Sequence, residues 1–251
     1  MSDDNERLAR HLGDWIAAQV TGSSGRGVVF GLSGGVDSAV VAALCKRAFP
    51  HHALGLILPC QSDPVDAADA VLTAHHFGLP TATIDLTPVY EALCAELRAA
   101  CSDAPDDRLT CANIKPRLRM TALYAFSNHL GYRVVGTGNR SELAVGYFTK
   151  WGDGGADLLP LGNLTKTRVG ELARHLGVPQ RIVDKPPSAG LWEGQTDEGE
   201  MGLTYEQLDA CLEGGGGKAV REVVDRLAAA SRHKRELPPI APLPSATDGS
   251  T

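Results

Sequence analysis

Apolar residues recur along this chain in two different registers. Leu8, Leu12, Trp15 and Ile16 fall at helical spacing and predict an amphipathic helix near the N-terminus. Beyond it lie short unbroken apolar runs, Gly27–Leu32, Ala53–Pro59, Thr81–Leu86 and Tyr132–Gly138. Helical stretches near Asp37–Phe49, Pro64–Phe77 and Pro88–Ala100, and a long one starting near Asn113, separate them. Runs that do not alternate suit strands covered on both faces, as in a parallel sheet. Repeated β–α units of this size predict an α/β fold: a doubly wound, mostly parallel, Rossmann-like sheet with right-handed crossovers and helices on both faces.

The rhythm breaks at Gly146. Residues 146–166, GYFTKWGDGGADLLPLGNLTK, are rich in Gly and Asp and show no period, which predicts a long irregular segment. A helix is expected from about Thr165, closed by Gly177 just past its C-cap. Residues 185–202 read as a second polar loop interrupted by Gly and Pro, and 187–202 with the segment after Ser231 are expected to be the most mobile. Thr204 and Gln207 make a capping-box start for a helix over Tyr205–Leu212. Gly214–Gly217 joins it to a last helix ending near Ser231, and residues 236–251 read as a Pro/Ser-rich disordered tail. No composition shift marks a linker, so residues 1–235 are expected to form one domain.

Composition narrows the function classes. The chain has 251 residues, 43% hydrophobic and 22% charged, enough for a sizeable core. Its 24 Lys and Arg against 30 Asp and Glu give a net charge of −6. Nucleic-acid binders present a basic face, so this balance argues against such a partner. No stretch reaches the roughly 18 apolar residues that span a bilayer, and the acidic start MSDDNERLARHLGDW has no signal-peptide pattern. The six cysteines show no CxxC and no zinc-like spacing, and read as reduced thiols. A cytoplasmic protein without membrane or nucleic-acid partner is expected.

The sharpest local signal is Gly31-Leu32-Ser33-Gly34-Gly35-Val36-Asp37-Ser38, between a strand and a helix. Main-chain amides and the helix dipole hold anions at such a junction. Gly34 and Gly35 let the backbone approach a phosphate, and Ser33 and Ser38 can donate to its oxygens. A Walker A loop is excluded, because GxxxxGK[ST] is absent. An aspartate stands in the loop instead. A carboxylate beside phosphate implies a bridging Mg²⁺. The structural alternative, Asp37 as a first-turn carboxylate complementing the dipole, is weakened by the two flanking serines. Gly136–Ser141 nearly spells GxGxxG but ends in Ser, and is rejected as a dinucleotide fingerprint.

Three further blocks carry more of the pattern. Residues 113–120, NIKPRLRM, put three cations in the first turns of a helix, where the dipole disfavours them. Either an anionic ligand or a solvated face accounts for that. Val135–Glu142 follows a strand end, the ligand edge of an open parallel sheet. Residues 146–161 mix a cation, carboxylates and small residues. Taken in order, SGGxDS, NIKxRxRM, GTxxxxE, GYFTKxGDGGADLLPL, LTK and a late HK closely resemble the ammonia-dependent NAD synthetases, a family of the N-type ATP-pyrophosphatases. The resemblance runs from about Gly31 to Lys234.

That resemblance implies an adenine-nucleotide alpha-hydrolase-like fold and the last step of NAD biosynthesis. Deamido-NAD would be adenylated by ATP with loss of pyrophosphate, and ammonia would then displace AMP. It also implies a homodimer with the dinucleotide site at the subunit interface. By position, Gly31 to Ser38, Thr137, Lys166 and Ser188 (where the family usually has Thr) would contact ATP. Asp37 and Glu142 would hold Mg²⁺. Arg117, Lys150, Asp157, His233 and Lys234 would contact deamido-NAD. Lys166 would face the leaving pyrophosphate, and Asp153 would take a proton from ammonium. Only about 30 residues precede the loop, which leaves no room for a glutaminase domain and points to free ammonia.

Outside that register each of these residues has a plainer reading. Lys166 reads as a helix-start surface lysine, Glu142 as a solvated helical residue and His233-Lys234 as a charged helix end. Asp153 and Asp157 read as turn formers. Among competing functions, a GMP synthetase-like enzyme would not carry FTKxGDGGADLLPL. A tRNA-modifying adenylyl enzyme would bring a basic surface, and a nucleotide sensor would need neither Glu142 nor Lys166.

Overall fold

The structure is a computed structural model that describes residues 2–100, 107–192 and 194–243. Four parallel strands form its sheet: β1 (Val28–Gly31), β2 (Ala53–Ile57), β3 (Thr81–Thr83) and β4 (Arg133–Val134), in spatial order β3-β2-β1-β4. Val28 pairs with Ala53 on one side and Arg133 on the other. Helix α1 (Ser2–Gly22) precedes the sheet; α2 (Val36–Ala48) and α3 (Pro64–Phe77) follow β1 and β2. Between β3 and β4 come α4 (Thr87–Ala100), α5 (Arg108–Ala112) and α6 (Ile114–Leu130).

Alternate strand residues feed two cores. Val28 and Phe30 pack with Ile16 and Val20 of α1, Val40 and Leu44 of α2, and Ala70 and Ala74 of α3. Val29, Leu56 and Val134 face the other way, against Tyr90 and Cys94 of α4 and the half-buried apolar side chains of α6. Because side chains alternate across a strand, both parities must be apolar when both faces are covered. This is why the runs read as unbroken. The fold is α/β, doubly wound and parallel, as the pattern predicts.

Strand order fixes where a ligand can sit. From β1 the chain steps through α2 to β2 and through α3 to β3, then returns to lay β4 on the opposite side of β1. The connections leaving the carboxyl ends of β1 and β4 therefore diverge, and a crevice opens between them. After β4 come α7 (Arg140–Val145), α8 (Lys166–His175), α9 (Gln180–Val183), α10 (Asp197–Met201), α11 (Tyr205–Leu212), α12 (Lys218–Ala230) and α13 (Arg232–Arg235). Helix α8 joins the first core through Val169 and Leu172. A third cluster, Val145, Met201, Leu203, Tyr205, Leu208 and Val224, binds α7, α10, α11 and α12 together.

Several elements differ from expectation. β3 covers only half of Thr81–Leu86, because the Asp85 carboxylate accepts from Thr87 N (2.9 Å) and starts α4 there. β4 covers two residues of Tyr132–Gly138; beyond them Val135 bridges Leu158 and Gly136 N donates to Leu158 O (2.8 Å), so the chain pairs with the 157–158 segment while β1 runs on to Gly31. The polar stretch 185–202 contains α10, capped by Thr196, whose hydroxyl accepts from Gly199 N (3.3 Å). The capping box of Thr204 and Gln207 forms as predicted. Residues 237–243 are exposed coil; the rest of the expected tail, and Cys101, lie outside the described residues. Among the described residues no helix is long and apolar enough to cross a membrane.

Phe30 is fully buried at the centre of the first core. Phe30→Ala should cost about 3–5 kcal/mol, read as a lower urea midpoint with an unchanged slope. A loss well below 1 kcal/mol would contradict this account of the core.

Candidate active site

The turn after β1 is held by its own serines. Ser33 N and Ser33 Oγ both donate to Ser38 Oγ (3.3 and 3.1 Å), Ser38 Oγ donates to Gly35 O (2.9 Å), and Gly35 N donates to Ser33 Oγ (3.3 Å). Gly34 takes φ +80, a conformation that favours glycine. Gly35 is the N-cap of α2 and has no side chain to close it, so the first amides of the helix point at the crevice edge. Leu32 is buried beneath, and Val36 and Asp37 open the helix.

Across the crevice, α7 begins with a second capping box. Asn139 Oδ1 accepts from Glu142 N (3.0 Å), and Asn139 N donates to Glu142 Oε2 (3.1 Å). The same buried Asn139 donates from Nδ2 to Asp37 Oδ1 (3.0 Å). One side chain thus joins the loop after β1 to the loop after β4. Lys166, the first residue of α8, completes the group. Its ammonium pairs with Asp37 Oδ2 and lies 3.5 Å from Glu142 Oε1.

The electrostatics follow from burial and crowding. Burial, reinforced by the neighbouring Asp37 carboxylate, lifts Glu142 to about 8. Burial opposes the charge on Lys166, but Asp37 and Glu142 outweigh it and hold the ammonium above the usual lysine range. The Tyr205 ring lies 5.0 Å from Lys166 Nζ, and its hydroxyl donates to Asp197 Oδ2 (3.0 Å), with Glu142 Oε1 at 3.4 Å. Asp197 is itself buried, which raises its pKa. Asp209 of α11 fixes the ends of α7 and α8 by accepting from Ser141 Oγ, from Thr167 N (2.8 Å) and from Thr167 Oγ1 (2.7 Å).

A second group gathers where 146–161 meets α13. Lys150 Nζ donates to His233 O, and Lys234 Nζ donates to Gly146 O (2.8 Å) and Phe148 O (2.7 Å). Arg117 Nε donates to Lys150 O (3.3 Å). Asp153 Oδ1 accepts from Thr149 N (2.9 Å), with Lys234 within electrostatic reach. Asp157 is engaged through both oxygens, by Tyr124 OH (3.0 Å) and Val134 N (2.8 Å), so it secures β4.

With this geometry in hand, likeness to known proteins becomes informative. A family model described as NAD synthase matches residues 8–238. The chain belongs to the NAD synthase family. It is 52% identical over 236 residues to the NH(3)-dependent NAD(+) synthetase of Carboxydothermus hydrogenoformans, covering 94% of this chain and 97% of that one. Among solved structures, the NMN synthetase of Francisella tularensis aligns with a TM-score of 0.90 at 38% identity, over 95% of this chain and 99% of that one. The NH3-dependent NAD synthetase of Campylobacter jejuni aligns with a TM-score of 0.78 at 28% identity, over 95% and 99%.

Of the residues that the NAD synthase motifs single out, Asp37, Glu142 and Lys166 meet in one cluster. Arg117, Lys150, Asp153, His233 and Lys234 belong to the second group. Thr137 follows β4 at the crevice. Ser188 is turned into its own segment, donating to Gln195 O (2.8 Å) and accepting from Gly190 N (3.1 Å). The cations of NIKPRLRM donate to main-chain carbonyls: Lys115 to Leu191 O (2.8 Å) and Arg119 to Leu58 O (3.0 Å). Among the described residues Lys115, Arg117 and Arg119 form no ion pair. Sequence reasoning missed Asn139, Asp197, Tyr205 and Asp209. Only Asn139 had a local signal, the N-x-x-E spacing of a capping box. The others come from far along the chain and meet the site only through the third cluster.

Asn139→Ala should lower stability by about 1–3 kcal/mol, since it removes an N-cap and the bond to Asp37 together. Chemical denaturation checks this, and an unshifted midpoint would show that the two loops are held by something else.

Proposed function

We propose that this chain is an ammonia-dependent ligase that amidates deamido-NAD to NAD, splitting ATP into AMP and pyrophosphate through an acyl-adenylate. The observation that carries the reading is the meeting of Asp37, Glu142 and Lys166 beside a glycine-serine turn at the switch point of the sheet. A carboxylate is a poor acyl electrophile. Attack of its oxygen on the α-phosphorus of ATP, with pyrophosphate leaving, converts it into a mixed anhydride. Ammonia can then add at the acyl carbon and expel AMP.

In this reading Ser33 and Ser38, with the open amides at the start of α2, grip the phosphates. Lys166 moves from its carboxylates toward the departing pyrophosphate, a positioning and charge-neutralising role. Thr137 and Ser188 contact the nucleotide. Arg117, Lys150, Asp157, His233 and Lys234 seat the dinucleotide, and Asp153 takes a proton from ammonium. Two carboxylates suit Mg²⁺, which usually takes one or two from the protein and the rest of its ligands from phosphate and water. Asp37 and Glu142 would hold the ion, which when bound supplies charge neutralisation at the phosphates.

A homodimer and a cytoplasmic setting complete the proposal. Leu118, Leu123, Tyr124 and Phe126 of α6 pack on the second core and still stay half-buried in one copy, as does Met120, which supports a partner covering the rest of this helix. The solved structure with the 0.90 TM-score is named for NMN synthesis, and that favours a second reading in which the acceptor is nicotinic acid mononucleotide. The reacting pyridine carboxylate is the same in both.

The test is to assay the purified protein with ATP, Mg²⁺ and ammonium against each acceptor in turn. AMP and pyrophosphate should form with deamido-NAD, fall to background with EDTA or without ammonium, and drop about 100-fold or more in Asp37→Asn without loss of fold. A higher kcat/KM with the mononucleotide would select the second reading. Turnover of xanthosine monophosphate in place of either would overturn both.

A further inference from the structure

Gly34 leans on the start of α3. A Cβ at this position would collide with Asp66 O and lie 3.0 Å from the Asp69 Cβ. The first two turns of α3 are therefore the surface against which the phosphate turn is formed. Asp69 is almost completely buried, which aspartates tolerate only when paired. Lys185 Nζ lies 2.7 Å from its Oδ2, and Arg181 Nε lies 2.8 Å from its Oδ1. The same Lys185 ammonium also reaches Asp66 Oδ1 at 2.7 Å. On the other side of that carboxylate, Gly190 takes φ +61, and a Cβ there would stand 3.3 Å from Asp66 Oδ2.

Asp66 thus meets a glycine of the phosphate turn through its main chain and a glycine of the following segment through its side chain. Ser188 lies between Lys185 and Gly190 and is bonded to the latter. Helix α3 does not need Lys185 in order to start. Asp63 caps it by accepting from Val65 N (2.9 Å), and Pro64 supplies its first turn. Arg181 also pairs with Asp69, from an exposed position and without hydrogen-bonding geometry at Oδ1, so Lys185 supplies the hydrogen bond on Oδ2 as well as the one on Asp66. What the two-way contact adds is a fixed separation between the Ser33–Ser38 turn and the segment carrying Ser188.

We propose that Lys185 is a positioning residue for ATP, which clamps Asp66 and Asp69 behind Gly34 and thereby holds the phosphate turn and the Ser188 segment at the spacing the nucleotide requires. This rests on the nucleotide reading above and extends it to a residue outside the phosphate-contacting set.

The experiment is calorimetric titration with Mg·ATP, paired with steady-state kinetics, on the wild type, Lys185→Met, Lys185→Arg and Asp66→Asn. Lys185→Met should weaken ATP binding and raise its KM about tenfold, the scale of a small misplacement, while the KM for the acceptor stays unchanged. Lys185→Arg should recover most of the loss. Asp66→Asn keeps the Lys185–Asp69 pair, so it should fold normally and still weaken ATP binding, by roughly threefold; it decides the matter if Lys185→Met does not fold. Wild-type affinity for ATP in these variants would overturn the inference and leave the nucleotide reading standing, as would a parallel loss for both substrates. A wild-type protein that binds no ATP would sink the nucleotide reading and this inference with it.

Discussion

Two carboxylates held against one lysine at the mouth of a parallel sheet are the constraint on which the rest of this structure turns. Asp37 and Glu142 are brought together from opposite sides of the switch point, and the single ammonium of Lys166 faces both. Burial and the neighbouring carboxylate push Glu142 to about 8, so the arrangement favours the arrival of further positive charge. An isolated fold would gain more from apolar residues of the same volume. Keeping this cluster makes physical sense where a polyanion and its counter-ion are to be received.

Much of the scaffold serves to hold that cluster in register. Asn139 uses both ends of its amide, one for the α7 cap and one for Asp37. Asp209 ties the starts of α7 and α8 together, and Lys166 is the first residue of α8. Tyr205 places its ring beside the lysine and its hydroxyl between Asp197 and Glu142. These polar groups bond one another, which rigidifies a site; Asp197 keeps one buried oxygen, Oδ1, without a hydrogen-bond partner. They are supplied by α7, α8, α10 and α11, whose packing depends on the third hydrophobic cluster rather than on the sheet cores.

The legible and illegible parts of the sequence divide along the same line. β1, its glycine-serine turn and α2 could be read locally, because an apolar run, a positive-φ glycine and a helix start all lie within a dozen residues. The α11 capping box was equally local. Strand ends were not: β3 stops where Asp85 starts α4, and β4 stops where Val135 and Gly136 pair with Leu158 of a distant segment, events that depend on neighbours. The partnership of Asp37, Glu142 and Lys166 was visible only through resemblance, since each alone reads as an ordinary helix-end charge. The roles of Tyr205 and Asp209 left no trace in the pattern, as they come from packing that brings residues some 60 positions apart into contact. Lys185 looked like the start of a loop and proved to be tied to two aspartates of α3.

The most direct test of the central claim is a crystal structure of the protein with Mg²⁺ and a non-hydrolysable ATP analogue. This account predicts the triphosphate over Ser33–Ser38, one ion shared by Asp37 and Glu142, and the Lys166 ammonium turned from Asp37 toward the phosphates. A triphosphate lodged elsewhere, or an ion that leaves Glu142 still bound to Lys166, would contradict it.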